Sequence, residues 1–249
     1  MDSYIELFIL ISFKQYIMSY LITNDGSKLF YEESGSGELL IFIHGLNSSH
    51  TVNKDFYDEF IGEYKVILYD QRGHGDSDKS KIHMNVKRLG QDLNEIIDAL
   101  GLDDVTLIDH SMGAATIYSY VGQFGCDKLK RIVASDMSPY MRNAGWSGGI
   151  AQGKWGDEDF MQDLDRIFDD VGNAAFYISK NMMDPSLSNV SQERKIELVN
   201  NYRKGSDPLT MASLWFSLFR SDQRPAIEKN ICSFFIYYAR NAIIFNGGC

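Results

Sequence analysis

Apolar and polar positions along the chain fall into two alternating rhythms. Two short apolar stretches between Leu21 and Glu33 flank Asn24-Asp25-Gly26, which predicts a β-hairpin. Leu39-Leu40-Ile41-Phe42-Ile43 is an unbroken apolar run, the pattern of a strand buried on both faces. Val66-Ile67-Leu68-Tyr69, Val105-Thr106-Leu107-Ile108 and Ile132-Val133-Ala134 repeat it. Between these runs the spacing turns helical. Lys54 to Ile61 and Ala114 to Val121 predict helices, and Asn85 to Leu100 sets Val86, Leu89, Leu93, Ile96, Ile97 and Leu100 on one face before Gly101 stops it. Strands alternating with helices mean βαβ units, hence an α/β fold with a mostly parallel central sheet and helices on both faces.

From Tyr140 to Asp222 the strand pattern vanishes. Phe160, Leu164, Ile167, Phe168 and Val171 make one apolar stripe, and Ile196, Val199 and Tyr202 mark a second helix. A third starts with Asp207 as N-cap and Pro208 in the first turn, and carries Met211, Leu214, Trp215 and Leu218. Phe234 to Tyr238 then returns to the strand pattern. A helical stretch between two strands predicts a cap over the C-terminal edge of the sheet, where open α/β sheets bind ligands. The expected organisation is therefore residues 1–17 as an extension outside the fold, 18–139 as the first part of the core, 140–222 as the helical cap and 223–249 as the rest of the core. Within the extension, Tyr4 to Phe13 is nearly apolar, but Asp2 and Glu6 stand where a signal peptide is positive. The run also falls well short of the roughly 20 residues that span a bilayer, which leaves an amphipathic anchor as the alternative to a plain extension.

Composition narrows the classes. With 249 residues, 44% of them hydrophobic, the chain can bury a core without disulfides or a structural metal. A net charge of −10 excludes nucleic acid as a partner, because phosphate contacts need basic patches. Cys126, Cys232 and Cys249 form no C-x-x-C pair, which predicts reduced thiols in the cytoplasm and no zinc or redox centre.

The chemistry gathers where the central strands end. The first gives His44-Gly45-Leu46, the second Asp70-Gln71-Arg72-Gly73-His74-Gly75-Asp76-Ser77, and the third Asp109-His110-Ser111-Met112-Gly113. A serine between strand and helix, with glycine two positions on, is written as a nucleophile elbow. Taken alone, Ser111 reads as a helix cap before it reads as a nucleophile. His44, His74 and His110 read as packing residues of their loops, and His50 and His83 as solvated loop histidines.

With these three motifs and the helical stretch in this order, residues Met18 to Tyr238 resemble the α/β-hydrolase superfamily, in particular small bacterial esterases and the cofactor-free haloperoxidase-like group. The resemblance implies a carboxylesterase-like serine hydrolase acting on a small ester or other acyl compound, without metal or cofactor. Ser111 would be the nucleophile, and the N–H groups of Leu46 and Met112 the oxyanion hole. It implies a structural role for Asp70 to Ser77. Four departures stand against the pattern. Asp109 replaces the small residue that opens the elbow, where its bulk would strain the turn and its charge oppose an oxyanion. Tyr237-Tyr238-Ala239-Arg240-Asn241 ends in Asn where the family carries the acid, with Asp136 as the substitute acid. No histidine occurs beyond His110, so the triad base is absent and activity should be impaired. Eight residues after Asn241 leave no room for the family's last strand and helix, so the C-terminus reads as truncated. Phe234 to Tyr238 would then be an exposed sheet edge that promotes self-association. The rival reading is a non-catalytic binding protein of the same fold.

Overall fold

In the computed structural model, which describes residues 16–245 apart from 53, 80, 136, 146–147, 151–153, 206, 230–233 and 239–240, the apolar runs are strands of one sheet. The strands are β1 (Ile17–Ile22), β2 (Lys28–Gly35), β3 (Glu38–Ile43), β4 (Tyr64–Tyr69), β5 (Val105–Asp109), β6 (Leu129–Ser135), β7 (Phe234–Tyr238) and β8 (Asn241–Phe245). Their order is β1-β2-β4-β3-β5-β6-β7-β8. β4, β3, β5, β6 and β7 run parallel to one another. β1, β2 and β8 are antiparallel additions. The fold is thus the α/β arrangement that the sequence predicts. Ile17, expected in the extension, already pairs with Glu33 in the β1–β2 hairpin.

The parallel strands are apolar on both sides because helices cover both faces. Helix α1 (Lys54–Asp58) packs on one face, where Leu40, Phe42, Val66 and Leu68 meet Tyr57. Helices α2 (Val86–Ala99) and α3 (Met112–Phe124) lie on the other, against Ile41, Ile43, Ile67 and Leu107. Alternation along β3 therefore divides its side chains between two cores. Asn85 caps α2 by accepting from the Arg88 N–H, and Gly101 at φ 61° ends it.

Between β6 and β7 the chain makes helices α4 (Asp157–Asp169), α5 (Val171–Ile178), α6 (Gln192–Gly205) and α7 (Pro208–Arg220), and then α8 (Arg224–Lys229). Asp207 caps α7 with hydrogen bonds from Leu209 and Thr210 N–H, as its sequence predicts. Two stripes are narrower than expected. Phe168 and Ile196 face solvent, while Asp163 takes a buried place on α4 and donates nothing but accepts from the Trp155 ring N–H at 3.0 Å. The helical stretch leaves and re-enters the core at one point: Tyr140 bridges Asp222, and Gln223 N–H bonds Pro139 O at 2.9 Å.

Two expectations need correction. The strand Phe234–Tyr238 is not a sheet edge, because the chain turns back and β8 pairs with it from Asn241 to Phe245. Cys126 is not a reduced thiol but is disulfide-bonded; the other two cysteines, Cys232 and Cys249, lie outside the described residues. Among the described residues no helix is long and apolar enough to cross a membrane.

Candidate active site

Strand order reverses between β3 and β5, since β3 is followed by β4 on one side and by β5 on the other. That switch point opens a crevice at the carboxyl ends of the two strands. Gly45 follows β3 and Ser111 follows β5, and the two meet: a Cβ placed on Gly45 would lie 3.2 Å from the Ser111 Cβ. Ser111 has φ 54° and ψ −118°, a conformation that side-chain-bearing residues rarely adopt. It precedes α3, yet its side chain makes no capping hydrogen bond to that helix. The turn is closed by His110 N–H to Ile43 O at 3.0 Å and Ala114 N–H to Ser111 O at 2.9 Å. It needs glycine two residues on, because a Cβ at Gly113 would lie 2.3 Å from Ile43 O. Leu46 follows Gly45 and Met112 follows Ser111, so both backbones flank the hydroxyl-bearing residue.

Asp109 departs from its sequence reading. Its carboxyl is buried under the elbow, where Oδ1 accepts the Ser135 N–H at 2.9 Å and Oδ2 has no hydrogen-bond partner. Burial holds its pKa well above the usual carboxylate range, against the smaller opposing pull of that one N–H. Burial thus favours the protonated form and works against a negative charge under Ser111. The strained backbone is at Ser111, not at Asp109, which is an ordinary last residue of β5.

His44, His50, His74 and His83 have defined partners. His44 accepts the Gln71 N–H on Nε2 at 2.9 Å and bonds Gly45 O through Nδ1 at 2.8 Å. Burial lowers its pKa, so it is neutral. His74 accepts the Asn47 N–H and bonds Arg72 O, and burial lowers its pKa to about 3. These two are packing residues of their loops, as expected. His50 is not solvated: it is buried, with Nδ1 2.8 Å from Asp70 Oδ2 and its ring against Phe30. Burial alone would lower its pKa, but the Asp70 carboxylate outweighs that and raises it. His83 is exposed as expected and pairs with Asp25 at 3.0 Å. The His50–Asp70 pair went unseen because its members are twenty residues apart in different loops. Asp70 follows β4, two strands from β5, which puts it about 10 Å from Ser111.

Among the described residues the grouping that could hold a metal is His50, Asp70 and Asp76. Asp70 already accepts from His50 N–H at 2.6 Å, His50 Nδ1 at 2.8 Å and Asp76 N–H at 2.7 Å. Its lone pairs are spent on an ion pair and loop closure rather than left open for a cation. Asp136, the expected substitute acid, lies outside the described residues.

The helical stretch stands over this edge of the sheet. Asn47 Nδ2 donates to Tyr202 O at 2.7 Å, and a Cβ on Gly205 would lie 2.2 Å from Asn47 O. Thr210 packs on Gly73, Lys81 pairs with Asp207, and the Val86 N–H bonds Ser217 Oγ at 2.9 Å. α6 and α7 are thus fixed to the loops that follow β3 and β4.

Comparison with known proteins agrees with this geometry. A family described as alpha/beta hydrolase fold matches residues 38–166, just over half of the chain. The non-heme chloroperoxidase CPO-A1 of Kitasatospora aureofaciens is 33% identical over 123 residues, which are 49% of this chain and 45% of that protein. The 2-(acetamidomethylene)succinate hydrolase of Mesorhizobium japonicum is 31% identical over 109 residues, 44% of this chain and 39% of its own. The chain thus matches less than half the length of these curated relatives. Among solved structures, a bromoperoxidase from Bacillus anthracis superposes with a TM-score of 0.76 at 21% identity, over 90% of this chain and 81% of that one. An esterase from Exiguobacterium antarcticum gives 0.74 at 20% identity, over 88% and 80%.

Proposed function

The chain belongs to the alpha/beta hydrolase fold family, and from that premise we propose that it is built as a carboxylesterase-like serine hydrolase for a small ester or other acyl compound, with Ser111 as nucleophile. The observation that carries the reading is the backbone of Ser111. Caps sit in extended backbone and bond the helix with their side chain. Ser111 does neither, and holding it at φ 54° costs on the order of 1–3 kcal/mol that a mere cap would not require. The strain lifts the hydroxyl clear of the strand ends at the switch point.

In this reading Ser111 Oγ attacks the acyl carbon, the alcohol leaves, and water releases the acid from the acyl-serine. The oxyanion of each tetrahedral intermediate would lie against the N–H groups of Leu46 and Met112 at the start of α3, at about 3 kcal/mol per donor. Burial of Asp109, which favours its protonated form, works against an opposing charge at that site. The helices standing over the strand ends serve as the cap that shapes the acyl pocket. No metal or cofactor enters the scheme, and the location we propose is the cytoplasm; the Cys126 disulfide weighs against the latter. The weak point is the proton on Ser111. The sequence has no histidine beyond His110, and His44, His50 and His74 are tied to other partners. Asp136 as acid would have no histidine to orient. Within residues 1–249 we therefore propose weak hydrolysis, and the same missing base favours the second reading, a binding protein that kept the pocket.

Hydrolysis of p-nitrophenyl acetate tests both. The expected rate is several orders of magnitude below a turnover of about 10 per second, with the residue abolished by Ser111→Ala. Turnover near 10 per second would overturn the impairment. A residual rate untouched by Ser111→Ala would overturn the nucleophile and leave the binding protein.

A further inference from the structure

A cleft of about 310 Å³ opens in the helical stretch, lined by residues of α4, α5, α6 and the turn after α5, and by none from the loops around Ser111. Its volume is at the lower end of small-molecule sites, roughly 300–1,000 Å³. Three cations converge on it: Arg166, Lys180 and Lys195. The Arg166 guanidinium lies 4.0 Å over the Tyr177 ring and is fixed by Asp163 Oδ1 at 3.1 Å and Gln162 Oε1 at 3.2 Å. Lys180 approaches the Tyr177 ring at 5.8 Å, and Lys195 lies 5.4 Å from the Phe176 ring.

The carboxylates cancel this charge only in part. Asp170 is taken by Arg203 and by the N–H groups of Gly172 and Asn173, and Asp163 by Arg166 and the Trp155 ring N–H. Among the lining residues Lys180 and Lys195 are then opposed by Asp169, so the lining is left net positive in a chain of net charge −10. Neither lysine has a carboxylate within ion-pair distance among the described residues. Lys180 is also carried on a π-helical turn, Ser179–Met183, an irregularity that widens the helix and recurs at functional sites.

We propose that this cleft is a binding site for the oxyanion group of a small molecule, a phosphate or carboxylate held between Arg166, Lys180 and Lys195 and separate from the Ser111 crevice. Arg166 offers a fixed planar donor, the two lysines adjustable point charges, and the aromatic rings a weakly hydrated wall. The site does not depend on Ser111 being a nucleophile.

Titration of the full chain with inorganic phosphate, and separately with acetate, tests it by calorimetry at low ionic strength, with chloride at matched ionic strength as the reference. Saturable binding of one of the two at one equivalent is expected, weakened at least tenfold in Lys180→Gln/Lys195→Gln. Which anion saturates separates a phosphate site from a carboxylate site. Acylation of surface amines with an N-hydroxysuccinimide ester, read by mass spectrometry, gives a check that needs no variant. The bound anion should slow modification of Lys180 and Lys195 and leave exposed Lys87 unchanged. Non-saturable heats with both anions, binding that survives the double substitution, or protection no greater than at Lys87 would each overturn the site.

Discussion

Burial favours the protonated form of Asp109, because the elbow offers its carboxyl a single N–H, from Ser135. Its folded pKa lies above the value in the unfolded chain, so the unfolded state releases the proton first as pH rises. Stability from this residue is complete below about pH 3.9, the unfolded value, and is lost from there up to the folded pKa, at a limiting slope of about 1.4 kcal/mol per pH unit. Asp109→Asn removes the titration. Urea midpoints taken from pH 4 to 8 should therefore fall for the native chain relative to the variant. A difference that stays constant with pH would mean the carboxyl is ionised in the folded protein. Sequence shows an acid at this position but not its solvation, which is why it reads as a charge under Ser111. His50 fails for the same reason: its partner Asp70 and its cover Phe30 come from other strands. Ser111 was legible because its signal is local, a strand end, a helix start and a glycine that Ile43 O leaves no room to replace.

Elements were legible where one rhythm served one layer. β3, β4 and β5 were placed by unbroken apolar runs, α2 by its stripe and its glycine stop, and α7 by its cap. Misreadings occur in the helices that stand over the sheet, where Phe168 and Ile196 sit at apolar positions that nothing covers. What joins the elements was hidden altogether. Arg72, fully buried in the loop after β4, bonds Asp92 of α2 twice at 2.8 Å and reaches Asp25 of the β1–β2 turn at 2.9 Å and Ser27 at 2.8 Å. One side chain thereby ties hairpin, loop and helix together. Arg72→Met should cost about 3–5 kcal/mol, since Asp92 would stay buried with only Arg88 at 2.9 Å to pair it. Equilibrium urea unfolding measures it. A loss under about 1 kcal/mol would mean that Arg88 alone can carry Asp92.

For the whole molecule, the sheet's far side is the feature that decides behaviour in solution. β8 occupies the hydrogen-bonding edge of β7, whose sequence Phe-Phe-Ile-Tyr-Tyr carries no charge to discourage pairing with other chains. Ending the chain at residue 240 uncovers that edge. Size-exclusion chromatography with light scattering should then show a larger, concentration-dependent species than the 249-residue chain gives. Equal masses for the two would mean that β8 protects nothing. The opposite feature is the bridge between Tyr140 and Asp222, through which the helical stretch both departs and returns. A part whose chain enters and leaves at one doorway can be lengthened, shortened or exchanged without rerouting any strand of the sheet, provided its contacts with the loops after β3 and β4 are matched. Ser111 and its turn are held by β3, β5 and β6, none of which lies beyond that doorway. Evolution can therefore refit what such a molecule accepts while leaving the turn at Ser111 untouched, as one changes the bit of a drill and keeps the motor.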